Sequence, residues 1–145
     1  MERFRTFTVL ITTINRSIHK IKTEEMAEFN LKSAHVNCLY YLGLKGDMTL
    51  TELSEMCEED KGAVSRSLDY LEKEGMVTKK GEGRYKAALT LTGKGREISD
   101  SIQKKVDGVL SAVGKELSEE DRDQFYRCLM KIDANLQEFC KKYEK

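Results

Sequence analysis

The segment from Asp60 to Ser67 concentrates the side chains best suited to contact a nucleic acid. Its lysine, serine and arginine can donate hydrogen bonds to guanine edges and to phosphates. The glycine and alanine between them would let a helix backbone approach a DNA groove closely. In a helix-turn-helix, such contacts come from the N-terminal residues of the second helix. The candidate contacts are Lys61, Gly62, Ala63, Ser65 and Arg66.

A basic patch follows this segment. Between Lys79 and Arg96 there are six basic residues and a single acid, Glu82. Taken alone, the charges at Lys61 and Arg66 fit an ordinary solvated helix face. The adjoining basic hairpin favours DNA contact instead, because its turn offers further cations to a minor groove or a phosphate backbone. The candidate contacts in this hairpin are Arg84 and Lys86.

Local signals place these residues on two short helices and a hairpin. Thr49 opens a predicted capping box at the start of the first helix, and Asp60 can cap the second. Gly75 fits the end of that second helix. Short strands are predicted at 76–80 and 87–91, on either side of a glycine-rich turn. The fold class is therefore mainly α with a small two- or three-stranded β wing, a winged helix-turn-helix.

Both ends of the chain carry apolar seams at helical spacing. Their steps alternate between three and four residues, which is typical of one continuous helix face. One small module could not cover such long stripes, so a homodimer is favoured over packing within a monomer. We predict dimerisation segments at 1–30 and 96–145 around a DNA-binding module at 31–95, all within one structural domain. The predicted dimer contacts are Phe4, Phe7, Ile11, Ile14, Phe125, Leu129, Ile132 and Leu136.

Bulk properties argue against several other classes. The chain has 145 residues, 34% of them charged. No apolar run approaches the roughly 18 residues of a membrane span and no signal peptide is recognisable, so we expect a cytoplasmic protein without membrane contact. No phosphate loop, nucleophile elbow or metal-ligand cluster is recognisable, so we expect no enzyme activity, cofactor or metal site. The cysteines lack C-x-x-C spacing and are expected to be small buried apolar residues. They are Cys38, Cys57, Cys128 and Cys140.

A second interpretation stays open because the net charge is zero. A DNA-binding protein often has excess positive charge, and the segment Glu52–Asp60 contains five acids and no base. The alternative is a helical dimer that keeps the fold but binds a partner protein instead of DNA.

Three motifs together resemble the MarR (multiple antibiotic resistance regulator) family. They are Val64-Ser65-Arg66, Leu71-Glu72-Lys73-Glu74-Gly75 and Leu91-Thr92-Gly93-Lys94-Gly95. The resemblance implies a transcriptional regulator, a dimer on pseudo-palindromic double-stranded operator DNA. It also implies a repressor released by a small anionic or aromatic effector. Ser33 and His35 match the family's phosphate contacts, and Arg84 matches the wing-tip arginine. Thr49 is also predicted as a DNA contact.

The chain departs from the family in its wing and in its first helix. Gly83 and Tyr85 stand where many members have Asp-x-Arg, so the internal ion pair of the wing is missing. Peroxide-sensing relatives carry a cysteine in the first helix and this chain has none there, so we expect no redox switch. An effector pocket would lie near four residues, although the two tyrosines equally fit an ordinary core. They are Ile18, Tyr40, Tyr41 and Ile98.

Overall fold

The computed structural model describes residues 2–83 and 86–144, and for Phe4 only the backbone. The elements follow the predicted order, with a 3-10 turn after the first helix and another after the last. They are α1 Glu2–Met26, α2 Ser33–Lys45, α3 Leu50–Cys57, α4 Lys61–Lys73, β1 Val77–Lys80, β2 Ala88–Leu91, α5 Gly93–Val113 and α6 Glu119–Cys140. Within this described part, no helix is both long and apolar enough to cross a membrane.

The wing is a two-stranded hairpin. Strands β1 and β2 pair antiparallel, with Val77 opposite Leu91. Leu89 also exchanges two backbone hydrogen bonds with Met48, of 2.8 and 3.4 Å, which attach the hairpin to the start of α3. The predicted winged fold is confirmed, and this single bridge takes the place of a full third strand.

Helices α3 and α4 begin where side-chain caps predict. The Thr49 hydroxyl accepts a hydrogen bond from the Glu52 amide at 3.2 Å, and Asp60 accepts one from the Ala63 amide at 2.8 Å. The structure shows the Thr49 half of the predicted capping box. Each such cap satisfies an amide that the helix cannot, and contributes about 1 kcal/mol.

Helix α4 ends at Lys73, and Gly75 follows as the predicted C-terminal stop. Gly75 has a φ of 76°, a left-handed conformation that favours glycine. Its amide donates to the Glu72 carbonyl at 3.0 Å, and the Met76 amide donates to the Leu71 carbonyl at 2.8 Å. Met76 and Leu71 are both buried, as in a Schellman motif. This turn leads directly from α4 into β1.

The core lies among α2, α3, α4 and the wing, with α5 entering beside α2. Leu39, Leu53 and Leu71 are fully buried there. Ser99 of α5 is also buried, and its hydroxyl donates to the Leu39 carbonyl at 3.0 Å. A Cβ added at Gly43 would collide with that hydroxyl. The close approach of α2 and α5 therefore requires glycine at position 43.

The chain divides into two compact units, Met1–Val106 and Asp107–Lys145. The first contains the winged helix-turn-helix and its core. The second contains α6, which begins with a reciprocal capping box between Ser118 and Asp121. None of the 22 residues of α6 is buried.

The cysteines fall into two groups. Cys38 is buried and Cys57 is half-buried, whereas Cys128 and Cys140 are exposed on α6. The expectation of buried cysteines is therefore confirmed for Cys38 and wrong for Cys128 and Cys140. Cys128 and Cys140 flank the apolar seam of α6, and this side of the helix is solvent-exposed in the single chain.

Candidate nucleic-acid interface

The exposed face of α4 carries the cations that the sequence predicted as contacts. Lys61, Gly62 and Arg66 are exposed, whereas Val64 and Leu68 on the opposite face are 1% and 2% exposed. The helix is thus anchored in the core by one face and presents Lys61 and Arg66 on the other. This is the arrangement that a recognition helix needs.

Gly62 lies against both the cap and the arginine of this face. A Cβ at position 62 would stand 3.1 Å from the Asp60 carboxylate and 3.5 Å from a terminal nitrogen of Arg66. The Arg66 guanidinium therefore folds along the first turn of α4. A larger residue at position 62 would crowd the cap and the arginine together.

Ser65 requires a correction. We predicted it as a DNA contact, but only 7% of the residue is exposed. It lies on the same side of α4 as Val64 and Leu68, since its neighbours Val64, Ser67 and Leu68 are buried too. With so little exposed surface, Ser65 is presented to a DNA groove less than Lys61 and Arg66 are. Ala63, in contrast, is half-exposed and remains at the surface.

An ion pair connects the wing to the recognition helix. The Lys79 ammonium on β1 lies 3.8 Å from the Asp69 carboxylate and 3.7 Å from that of Glu72, both on α4. The two acids in the later turns of α4 therefore face the wing strand. Lys80 and Lys86 are exposed on the hairpin. The pairing of Lys79 with α4 was not predicted from the sequence, because only the fold brings β1 beside α4.

The predicted contact Arg84 and the substituted position Tyr85 lie outside the described residues. The described part of the hairpin therefore offers the exposed cations Lys80 and Lys86 for DNA contact.

The start of α2 lies beside α4 through a ring contact. The His35 imidazole stacks on the Tyr70 ring, with centroids 4.3 Å apart and planes 15° from parallel. Its Nδ1 accepts a hydrogen bond from the Lys32 amide at 3.2 Å, which leaves the N–H on Nε2. Partial burial, followed by the nearby Lys32 charge, lowers the pKa of His35. A neutral imidazole with its N–H on Nε2 has a donor that suits a phosphate contact.

Two of the predicted DNA contacts stand at helix starts. Ser33, the first residue of α2, is half-exposed. Thr49 is half-exposed as well, and its hydroxyl already accepts the Glu52 amide. Thr49 therefore serves α3 as a cap whatever else it contacts.

The four predicted effector residues differ in burial. Tyr40 and Tyr41 form an edge-to-face pair with centroids 5.3 Å apart, and with Ile98 they pack against the core. Ile18 is 45% exposed. An open depression of about 480 Å³ lies elsewhere and shares none of these residues. It is lined by Lys45, Asp47, Met48, Glu52, Glu55 and Met56.

The predicted dimer residues are largely solvent-exposed in the single chain. On α1, Ile11 and Ile14 are 41% and 49% exposed, and on α6, Phe125 and Leu136 are 54% and 47% exposed. Ile132 is 37% exposed, Phe7 and Leu129 are half-buried, and the Phe4 side chain lies outside the description. Large apolar side chains at this exposure are typical of an interface.

The fold and this face of α4 define a winged helix-turn-helix protein. The MarR family model matches residues 29–84, which span α2 to the wing turn. This part of the chain is similar to the MarR family, as the sequence motifs predicted. DNA-binding transcription regulation is the role of this family.

Similar proteins cover most of the chain. HTH-type transcriptional regulators of Bacillus cereus and Bacillus thuringiensis are 27% identical over 124 residues, 85% of this chain and 83% of each relative. A Staphylococcus aureus MarR solved with salicylate and kanamycin has a TM-score of 0.84 at 20% identity, covering 95% of both chains. A MarR family regulator of Neisseria meningitidis has a TM-score of 0.83 at 16% identity, covering 99% of this chain and 100% of the other.

Proposed function

We propose that this chain is a homodimeric repressor that binds pseudo-palindromic operator DNA through α4 and is released by a small anionic or aromatic effector. The observation that carries the proposal is the amphipathic first half of α4. Val64 and Leu68 hold the helix in the core, while Lys61, Gly62 and Arg66 stand exposed on its other face. A major groove admits a helix with such a face.

Zero net charge does not oppose this proposal, because the charges are unevenly placed. The two acids of α4 nearest the wing lie beside Lys79, so the carboxylates of Asp69 and Glu72 face a cation of this same chain. The exposed cations at Lys61 and Arg66 stand in the first turns of α4, ahead of those acids along the helix. Local charge decides contact with phosphate, since charges beyond about 10 Å are largely screened at 0.1 M salt.

A dimer is needed because one recognition helix reads only a half-site. Two symmetric copies of α4 about 34 Å apart would enter successive major grooves. The exposed apolar seams of α1 and α6 supply a surface for such pairing. We expect the wing, through Lys86 and Arg84, and the start of α2, through Ser33 and His35, to contact phosphates beside each half-site.

The proposed effector is a small anionic or aromatic compound. The Staphylococcus aureus relative was solved with salicylate, an aromatic carboxylate, which supports that chemical class here. Ile18, Tyr40, Tyr41 and Ile98 are the residues we propose for the site. Binding there would act by shifting the population toward a spacing of the two α4 helices that misses successive grooves. Release of bound operator by aromatic carboxylates is the test, and Tyr40→Ala should abolish release without weakening DNA binding.

The DNA proposal is tested by titrating selected genomic fragments and scrambled controls at several salt concentrations. Arg66→Ala should cost about 1–3 kcal/mol on the specific site and relax the preference at one position of each half-site. Lys86→Ala should weaken all sequences alike and reduce the salt slope by about one unit. Lys104→Ala removes an exposed cation of α5 outside the proposed contacts and serves as the matched control.

Two outcomes would contradict the proposal. If Arg66→Ala left the ratio of specific to scrambled affinity unchanged while Lys86→Ala removed it, α4 would not be the reading element. If the unmodified protein bound no fragment at low salt, the protein-interaction alternative would replace DNA binding.

A further inference from the structure

Two of the sequence motifs meet where α4 ends. The first, 71–75, contains the end of α4 itself, and the second, 91–95, leads into α5. Backbone carbonyls at the end of a helix lack partners within it and need donors from elsewhere. Three successive carbonyls, those of residues 74–76, accept hydrogen bonds from two residues of the second motif. We call these two residues, Thr92 and Lys94, the α5 clasp.

Thr92 contacts the end of α4 through both its side chain and its backbone. Its hydroxyl donates to the Gly75 carbonyl at 2.6 Å, and its amide donates to the Met76 carbonyl at 3.0 Å. The same hydroxyl accepts a hydrogen bond from the Gly95 amide at 3.1 Å, as a helix cap does. One hydroxyl therefore caps α5 and attaches this helix to the turn that follows α4.

Lys94 and Gly95 complete the attachment. The Lys94 ammonium donates to the Glu74 carbonyl at 3.0 Å, at the end of α4 where the helix dipole favours a positive charge. Gly95 is buried, and a Cβ added to it would collide with the Met76 carbonyl. The backbone of α5 therefore lies directly against the backbone after α4. Gly93, in the same motif, has open space where a Cβ would stand.

The clasp lies at the end of α4 opposite to the exposed cations Lys61 and Arg66. The two ends of this 13-residue helix are about 18 Å apart, at about 1.5 Å per residue. A tilt of about 10° around the clasp would therefore move the first turn by about 3 Å. A hydrogen bond to a base edge does not tolerate such a shift, because its heavy atoms must lie within about 2.7–3.2 Å. Contacts at the first turn thus depend on how the far end is held.

We propose that the α5 clasp sets the direction of α4, with Thr92 and Lys94 acting as positioning residues for the DNA contacts in the first turns of α4. The consequence for DNA reading rests on the proposed function, whereas the coupling of α4 to α5 does not. A shift of α5 would be passed to α4 through the clasp. Ile98, which we proposed for the effector site, lies about one helical turn after Lys94 on this same helix.

The first test measures affinity for the specific site and for scrambled DNA at several salt concentrations. Thr92→Val removes the hydroxyl and keeps the shape, and Lys94→Met removes the ammonium and keeps the stem. Each should lower specific affinity about fivefold, the loss typical of one hydrogen bond, because DNA then selects the aligned fraction of molecules. Scrambled affinity and the salt slope should stay unchanged. Thr92→Ser and Lys94→Arg, which keep the donors, should restore the specific affinity.

These measurements separate positioning from two other roles. A phosphate contact at Lys94 would make Lys94→Met weaken specific and scrambled DNA alike and reduce the salt slope by about one unit. A purely structural role would lower the melting temperature and leave the ratio of specific to scrambled affinity unchanged. Either result overturns the positioning role. Lys104→Met, which removes another exposed cation of α5, is the control for charge.

A pair of glycines in the same motif gives an independent test. Gly95→Ala should force α5 away from the Met76 carbonyl and lower the ratio of specific to scrambled affinity. Gly93→Ala adds the same methyl group in open space and should leave the ratio unchanged. Equal ratios for two folded variants would overturn the proposal. If Gly95→Ala does not fold, the comparison of Thr92→Val with Thr92→Ser decides.

Amide hydrogen exchange, followed by NMR, tests the coupling without DNA. Thr92→Val should speed exchange about fivefold in the first turn of α5 and also at Gly75 and Met76, whose own acceptors lie within α4. The core amides of Leu39 and Leu53 should change less. Faster exchange in α5 alone overturns the coupling. If the unmodified chain binds no DNA, the proposed function fails and this measurement alone decides whether the clasp joins the two helices.

Discussion

The central module and helix α6 use similar amphipathic patterns with opposite results. In the module, Leu39, Leu53 and Leu71 have no exposed surface. On α6, Phe125 and Leu136 recur at the same kind of helical spacing and are about half exposed. Apolar periodicity identifies the inner face of a helix equally well in both regions. It does not indicate whether the covering surface comes from the same chain.

The difference indicates which region the proposed second copy would cover. Exposed apolar area costs roughly 25 cal/mol per Å² relative to burial. A seam as long as that of α6 would therefore gain much from a partner surface. The module needs no such partner, because α2, α3, α4 and the wing cover one another.

The largest expected effect contrasts a leucine from each region. Leu39→Ala should lower the free energy of unfolding by about 2–5 kcal/mol at every protein concentration, because it opens a cavity in a closed core. Leu136→Ala should lower apparent stability in a concentration-dependent way, because it weakens association rather than the fold. Thermal unfolding over a hundredfold range of protein concentration measures both. Equal, concentration-independent losses would contradict the contrast.

Glycine substitutions give the next largest effect. Gly43→Ala should destabilise the fold by about 1–3 kcal/mol, because the new Cβ meets the Ser99 hydroxyl where α2 and α5 touch. Gly108→Ala should instead stabilise it by up to about 1 kcal/mol, because Gly108 lies in the interior of α5 with open space around it. Urea unfolding of the two matched variants gives the sign of each effect. A stabilising Gly43→Ala would show that the two helices are less closely packed than described.

Much of the fold followed from local signals in the sequence. The caps at Thr49 and Asp60 and the stop at Gly75 each depend on contacts within a few residues. These features could therefore be predicted from the sequence alone. Contacts between distant segments were missed for the converse reason. The Lys79 ion pairs and the stack of His35 on Tyr70 depend on how α4 packs against β1 and α2.

The site was predicted less completely than the fold. Lys61 and Arg66 were correctly expected on the exposed side of α4, because Val64 and Leu68 define its inner face. Ser65 was assigned to the wrong side, since a small polar residue next to an apolar one gives no clear sign of the face it occupies. Burial of Ser65 is visible only once the neighbouring helices are present.

The smallest expected effect concerns how the wing is attached to the module. Lys79→Met keeps the apolar stem and removes the charge that faces Asp69 and Glu72. Exposed pairs of this kind contribute about 0.2–1 kcal/mol, and less at high salt. Lys80→Met, at the next position of β1, is the control. A salt-independent loss for Lys79→Met, or an equal loss for Lys80→Met, would show that charge at position 79 does not hold the wing.

The most direct test of the account is the mass of the unmodified chain in solution. The chain has a mass of 16.6 kDa. Light scattering at micromolar concentration, under reducing conditions that prevent links through Cys128 and Cys140, should give twice that mass. Ile14→Glu combined with Leu136→Glu should abolish the dimer or unfold the protein, because a buried unpaired charge is costly. A well-folded monomer of the unmodified chain under the same conditions would contradict the claim that the α1 and α6 seams are covered by a second copy.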